Sequence, residues 1–301
     1  MSGRIIRHFA LGSAAVFCSF LSHDFATHDS ASGAMPITVA SEIVVLTQDE
    51  FHAMDHRVMG MVFDVHNEFG RLLDEKLFKR ALAQRCVRAG LGSVEREVHV
   101  RVTHDSFTKD YYMDLLIASG YLMEGKAAET IAPSHRAQTL HYALLAGIRH
   151  AKLVNFRPER VQHEFISTTL SHDARRNFRV EDRHWREFSP QCGWLRERLT
   201  ALLADWGAFL EVSLYRDAII HFLGGAMVAC PPVEILDGDT VLGRQNFCLL
   251  TPDTALACTA LTQAQDSMGK HLRRLLAHTR WKAVQWANLN HATLELVTLT
   301  K

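Results

Sequence analysis

The stretch DLLIASGYLMEGK, residues 114–126, decides how this chain folds. Leu115–Ile117 and Tyr121–Met123 flank a Ser119-Gly120 turn and read as two strands of a hairpin. Asp114 stands at its head, and Glu124 and Lys126 stand at its tail. An unpaired buried charge costs several kcal/mol, so three ionisable groups in apolar strands imply either exposure or a site. Side chains alternate along a strand, so Glu124 and Lys126 share a face, with their Cα atoms about 6.5 Å apart.

Upstream, "DHRVMGMVFDVHNEFG" places Val58, Val62, Val65 and Phe69 on one face of a helix that Gly70 stops. "DEKLFKRALAQRCVRAG" is a second helix, ended by Gly90. "VEREVHVRV" alternates as a strand, "HDSFTKD" is a turn, and "YYMDLLI" and "YLMEGKAA" are the next two strands. "PSHRAQTLHYALLAGI" starts a helix at Pro133 and Ser134, with Leu140, Leu144 and Ile148 on its apolar face. "AKLVNF" follows as a short strand, giving the order helix, helix, three strands, helix, strand.

The second half echoes the first. "GRLLDEKLFKRAL" from Gly70 aligns without gaps to "GAFLEVSLYRDAI" from Gly207, matching Leu73 to Leu210, Leu77 to Leu214 and Phe78 to Tyr215. Leu195, Leu199, Leu202 and Trp206 repeat the preceding helix. "DLLIASGYLMEGK" meets "CLLTPDTALACTA", and Asn155 falls on Asn288. The apolar scaffold recurs, while Cys248, Cys258 and Ala260 replace Asp114, Glu124 and Lys126. Cys248 and Cys258 are then expected to be small buried residues.

With 301 residues, 48% hydrophobic and 22% charged, the chain has the composition of an ordinary globular protein of one large or two average domains. Its formal net charge of zero gives no support for nucleic-acid binding by bulk charge, though a local basic face is not excluded. Six cysteines without a CxxC pair point to reduced thiols, and eighteen histidines without HExxH leave a zinc-protease reading without a motif. Arg4, Arg7 and "FALGSAAVFCSFL" imitate a secretory signal, but the apolar run is too short to span a membrane. Residues 1–43 are expected to be an unstructured or misassigned leader, with a second methionine at Met35, and the protein cytoplasmic, with export as the alternative.

Two carboxylates on adjacent strands beside a lysine suit a hard cation such as magnesium, which prefers oxygen ligands and keeps several waters. Such an ion and an adjacent ammonium are the parts a phosphodiesterase needs. Each residue also has a plainer reading. Asp114 fits a strand-end carboxylate paired with Lys109, and Glu124 with Lys126 fits an exposed edge-strand ion pair. Glu75 fits a solvated helix face, and Gln138 with Tyr142, four apart on one helical face, fits a pair at the core edge.

"MD" in a strand, "EGK" ten residues on and then "QTLHY" resemble the PD-(D/E)XK nuclease superfamily, and Gln138 and Tyr142 are similar to the helix motif of its RecB-like branch. "VHNEFGRLLDEKLFKRAL", residues 65–82, resembles the signature helix of the GxxExxY proteins, with Glu75 on the helical glutamate and Phe78 on the tyrosine. The resemblance covers about residues 55–166. It implies an α/β fold with a restriction-endonuclease-like αβββαβ core, dependence on Mg2+ or Mn2+, and a nucleic-acid partner. By position it makes Asp114 and Glu124 metal ligands, Lys126 the catalytic lysine, Glu75 a supporting acid, and Gln138 and Tyr142 substrate contacts. Two departures stand out. Phe78 lacks a hydroxyl, and Gly125 replaces the apolar residue that usually anchors the strand, which is expected to loosen the site. The expected organisation is a nuclease-like domain over 44–170 and a degenerate copy over 171–301, packed together as a pseudo-dimer.

Overall fold

The hairpin at residues 114–126 lies in the middle of a six-stranded sheet. The computed structural model describes residues 35–301. Strand β1 (Ile37–Val39) precedes α1 (Gln48–Phe69), α2 (Glu75–Arg88), β2 (Val94–His104), β3 (Phe107–Ile117), β4 (Tyr121–Lys126), α3 (Pro133–Ala146), β5 (His150–Asn155) and β6 (Gln162–Ser167). The strands lie in the order β1-β2-β3-β4-β5-β6. Only β4 and β5 run parallel, because α3 carries the chain back between them.

Alternation sorts the hairpin's side chains between two cores. Leu115, Ile117, Tyr121 and Met123 pack on Val58, Val62 and Val65 of α1 and Phe78 and Leu82 of α2. Leu116 and Leu122 face the other way, toward Leu144 and Leu145 of α3. Thr47 opens α1 with a reciprocal cap: Glu50 N–H donates to its hydroxyl, and its own N–H donates to the Glu50 carboxylate. A buried polar cluster pins α1 to the sheet. Lys152 Nζ lies 3.1 Å from Asp55 Oδ2, and Tyr121 donates to Asp55 Oδ1 at 2.8 Å.

Several expectations need correction. The turn at "HDSFTKD" shrinks to Asp105 and Ser106, because β3 already starts at Phe107 and pairs with β2 to its end. Phe69 is 45% exposed, because at the end of α1 its ring lies under the Arg85 guanidinium rather than in the core with Val58, Val62 and Val65. Residues 37–39, assigned to an unstructured leader, form β1, because Ile37 and Val39 alternate against the edge of β2. The signal-like segment itself lies outside the described residues. No helix among the described residues is long and apolar enough to cross a membrane.

Beyond α4 (His172–Arg176) and β7 (Arg179–His184) come α5 (Pro190–Trp206), α6 (Val212–Phe222), α7 (Ala226–Ala229), β8 (Pro232–Asp237), β9 (Thr240–Asn246), β10 (Leu249–Thr251), β11 (Thr254–Thr259), α8 (Gln265–Ala277), β12 (Ala283–Asn290) and β13 (Thr293–Thr300). A second sheet has the order β10-β11-β12-β13-β7, while β8 and β9 form a separate ribbon. Here too the pair joined through a helix, β11 and β12, is parallel, with antiparallel neighbours on either side.

One side-chain arrangement occurs twice. Asn155 accepts from the N–H of Ala128 and donates to its carbonyl, and Asn288 does the same with Leu261, 27 residues apart in each case. The buried partner of Asp55 is Lys152, whereas Gln285 donates to Cys192 at 3.1 Å.

Residues 36–301 form one unit, and a single apolar core runs through both sheets' neighbourhoods, from Leu116, Leu122 and Leu144 to Leu199, Trp206, Leu214 and Leu296. Arg175 is 1% exposed and staples this seam, donating to Trp206 O at 2.8 Å and Leu144 O at 3.1 Å, at the C-terminal ends of α5 and α3. Gly207, at φ 81°, is required beside it, because a Cβ there would lie 2.7 Å from Arg175 Cβ.

Candidate active site

The two central strands part at the chemistry. The β3–β4 ladder ends at Leu115 opposite Met123, while β4 continues along β5 to Lys126 opposite Asn155. Asp114 and Glu124 stand where the next pair would form, and their carboxylates take over the ladder's hydrogen bonds. Asp114 N–H donates to Glu124 Oε1 at 3.0 Å, and Gly125 N–H donates to Asp114 Oδ2 at 2.9 Å. Across from Asp114, β2 carries Glu97 in the left-handed region, φ 53°, between the paired Arg96 and Val98.

Around this fork the predicted residues gather. Lys126 Nζ lies 3.6 Å from Glu124 Oε2. Glu75, the first residue of α2, accepts from Ala127 N–H at 3.3 Å. Gln138 donates to the Tyr142 hydroxyl at 3.1 Å, one turn apart on α3. Burial raises the Tyr142 pKa, and the negative charges of Glu124 and Asp114 add to that, while the Gln138 hydrogen bond works against it.

Glu124 is 1% exposed. Burial, reinforced by the Asp114 charge, pushes its pKa up to about 8, against the opposing pull of the Asp114 N–H and the Lys126 ammonium. The carboxyl is thus short of positive charge.

Lys79, one turn after Glu75, was not singled out by the sequence. Its ammonium lies 2.6 Å from Asp114 Oδ1 and 3.0 Å from Glu75 Oε1. Burial works against that charge, but hydrogen bonds and attraction to Asp114 and Glu75 outweigh it and leave the Lys79 pKa raised. The stem reaches the fork across Gly125, where a Cβ would stand 3.1 Å from Lys79 Cγ and 3.3 Å from Cδ. Gly125 therefore does not leave an unfilled gap, as expected from sequence, but provides room for this lysine.

Other expectations also change. Phe78 does not face the fork: it is fully buried and stacked on Phe156, with ring centroids 4.6 Å apart. Lys109 pairs with Asp217 of α6, at 2.7 Å, and not with Asp114. Cavities of about 460 and 540 Å³ lie elsewhere, one beside Pro231 and Trp281 and one beside His52 and Phe165, and neither is lined by Asp114, Glu124 or Lys126. The positions that the sequence aligns with Asp114 and Glu124 hold Cys248 and Cys258, free thiols that are half-buried rather than buried as expected, because each packs on the edge of the core, and burial raises their pKa values. Arg216 stands in α6 where Lys79 stands in α2.

The donor set suits a hard divalent cation. Asp114 and Glu124 offer carboxylate oxygens at one point, Glu124 lacks a full counter-charge, and the Lys79 ammonium stands in for a cation at Asp114. Among the described residues no three His, Cys, Asp or Glu side chains are close enough together to hold an ion by themselves. A cation that keeps most of its waters needs only one or two carboxylates.

No curated protein matches the chain. A solved structure described as the crystal structure of SSO0001 aligns to 38% of this chain and 68% of its own, with 16% sequence identity and a TM-score of 0.24, a likeness that carries no argument. The family model described as PD-(D/E)XK nuclease superfamily matches residues 52–167, the span from α1 to β6 that holds the fork. Nucleases of that superfamily generally use divalent metal ions. Over residues 52–167, then, the chain is similar to the PD-(D/E)XK nuclease superfamily.

Proposed function

We propose that this protein is a divalent-metal-dependent phosphodiesterase acting on DNA or RNA, of the GxxExxY type, with its working site in the first half. The observation that carries this reading is the fork, where Asp114 and Glu124 converge with Lys126 Nζ 3.6 Å from Glu124. Asp114 and Glu124 would hold Mg2+ or Mn2+, which supplies Lewis acidity to a phosphate and to a water. Lys126 would orient the attacking water and offset charge that grows on the phosphate oxygens. Gln138 and Tyr142 would position the substrate, and Glu75 would fix the ammonium of Lys79. Cleavage of single- and double-stranded substrates, with and without EDTA, by wild type and Lys126→Ala tests this. The expected result is EDTA-sensitive cleavage that falls at least a hundredfold in the variant; metal-independent or undiminished cleavage would overturn it.

A second reading is favoured by one observation: Lys79 neutralises Asp114, as it would in a module that binds nucleic acid or a protein without cutting. Nucleic-acid binding that is indifferent to divalent ions, together with no cleavage, would select it.

We further infer that residues 171–301 are a degenerate copy of 44–170, retained as a pseudo-dimer partner. The shared order of helices and strands and the paired asparagine clamps support this. Free thiols at Cys86, Cys192, Cys230, Cys248 and Cys258 fit a reducing, cytoplasmic setting.

A further inference from the structure

We propose that Lys79 is a resident counter-cation, which occupies Asp114 in the metal-free protein and must leave it when a divalent ion binds. The inference rests on the metal-site reading above and adds a residue to it.

Three observations support it. First, the Lys79 ammonium makes its closest contact, 2.6 Å, with the same carboxylate that is to ligate the ion, and holds a second acid, Glu75, at 3.0 Å. An ammonium and a metal ion compete for one oxygen, because each lowers the carboxylate's charge and like charges at that distance repel. Second, the path of the stem is built in. Gly125 is the one position of β4 without a side chain, and the Lys79 Cγ and Cδ fill the space its Cβ would take. Third, the lysine has somewhere to go. It sits at the start of the second turn of α2, and Glu75, one turn back and 38% exposed, can keep the ammonium after Asp114 is released.

Neutralising Asp114 internally keeps two adjacent acids from repelling each other in the empty fork. It also weakens metal binding, since the free energy of the Lys79–Asp114 contact must be given up first. The same substitution should therefore have opposite effects on two measurements. Removing the ammonium should lower the melting temperature of the metal-free protein and tighten its hold on a divalent ion. General damage to the fold would lower both.

The test is titration of full-length protein with Mn2+, followed by calorimetry and by the loss of the free-ion electron paramagnetic resonance signal, without substrate. Lys79→Met is expected to bind Mn2+ about tenfold more tightly than wild type, with a lower melting temperature in EDTA. Lys79→Arg, which keeps the charge, and Lys76→Met, which removes an exposed lysine of the same helix, are expected to stay within about twofold. Gly125→Ala presses on the stem and should shift the affinity in the direction of Lys79→Met. Unchanged or weaker binding in Lys79→Met, or no Mn2+ bound by any variant, would overturn the proposal. Tighter binding by Lys79→Met with no nuclease activity in any variant would leave the ion exchange standing and remove only the hydrolytic reading.

Discussion

At the scale of single residues, the position of Glu124 has a measurable cost. Its folded-state pKa of about 8 lies above the ordinary value of 4.5, so the folded protein holds a proton there that the unfolded chain has lost. The resulting stabilisation is complete below about pH 4.5 and disappears as pH rises through 8. Glu124→Gln keeps the shape and needs no proton. In EDTA it should melt several degrees above wild type at pH 8.5, with the difference closing toward pH 5; parallel pH profiles would contradict this. Asp114, Glu124 and Lys126 were legible because strand alternation makes spacing a statement about geometry. Lys79 was not: it sits among Lys76 and Arg80 on a charged helix, and its partner Asp114 is 35 residues away. The sequence did contain one sign of it, a glycine in a strand of bulky residues, and a missing Cβ there marks a close approach by something else.

At the scale of elements, the two asparagines act where strands end. Asn155 satisfies both backbone groups of Ala128, the residue that leads away from β4, and so ties the loop after β4 to β5. Asn155→Ala would leave those groups without partners, at about 1–3 kcal/mol. A urea unfolding curve should show a lower midpoint with an unchanged slope, and Asn288→Ala, which frees Leu261, should cost a similar amount. An unshifted midpoint would show that water replaces the side chain without loss. Central helices and strands were readable because their apolar positions recur at a fixed period, as in Val58, Val62 and Val65. The sheet edges were not. β7, "RVEDRH", is exposed along its length, and β6, "QHEFIS", buries only Ile166, so neither shows the pattern of a strand packed on a core.

At the scale of the whole molecule, the seam carries the stability. Arg175 is buried with its guanidinium on Trp206 O and Leu144 O, and Arg175→Met would orphan both carbonyls in the shared core. A loss of about 2 kcal/mol or more is expected, read as a lower denaturant midpoint. Because one core draws on residues from Val98 to Leu296, probes in either half should report a single coincident transition. Two separated transitions would mean that the halves fold alone. The seam was not visible in sequence, since neither the zero net charge nor the periodicities tell which helix faces will meet. The common interior also fixes what each half is free to change. Cys248 and Cys258 are half-buried against the shared core, so replacements there are free in chemistry only as far as their size still fits. The bulk of Trp206 and Leu214 is another matter, because they wall in the neighbouring hairpin. A segment that shares its interior with a neighbour is thus held more tightly in the volume it occupies than in the chemistry it carries.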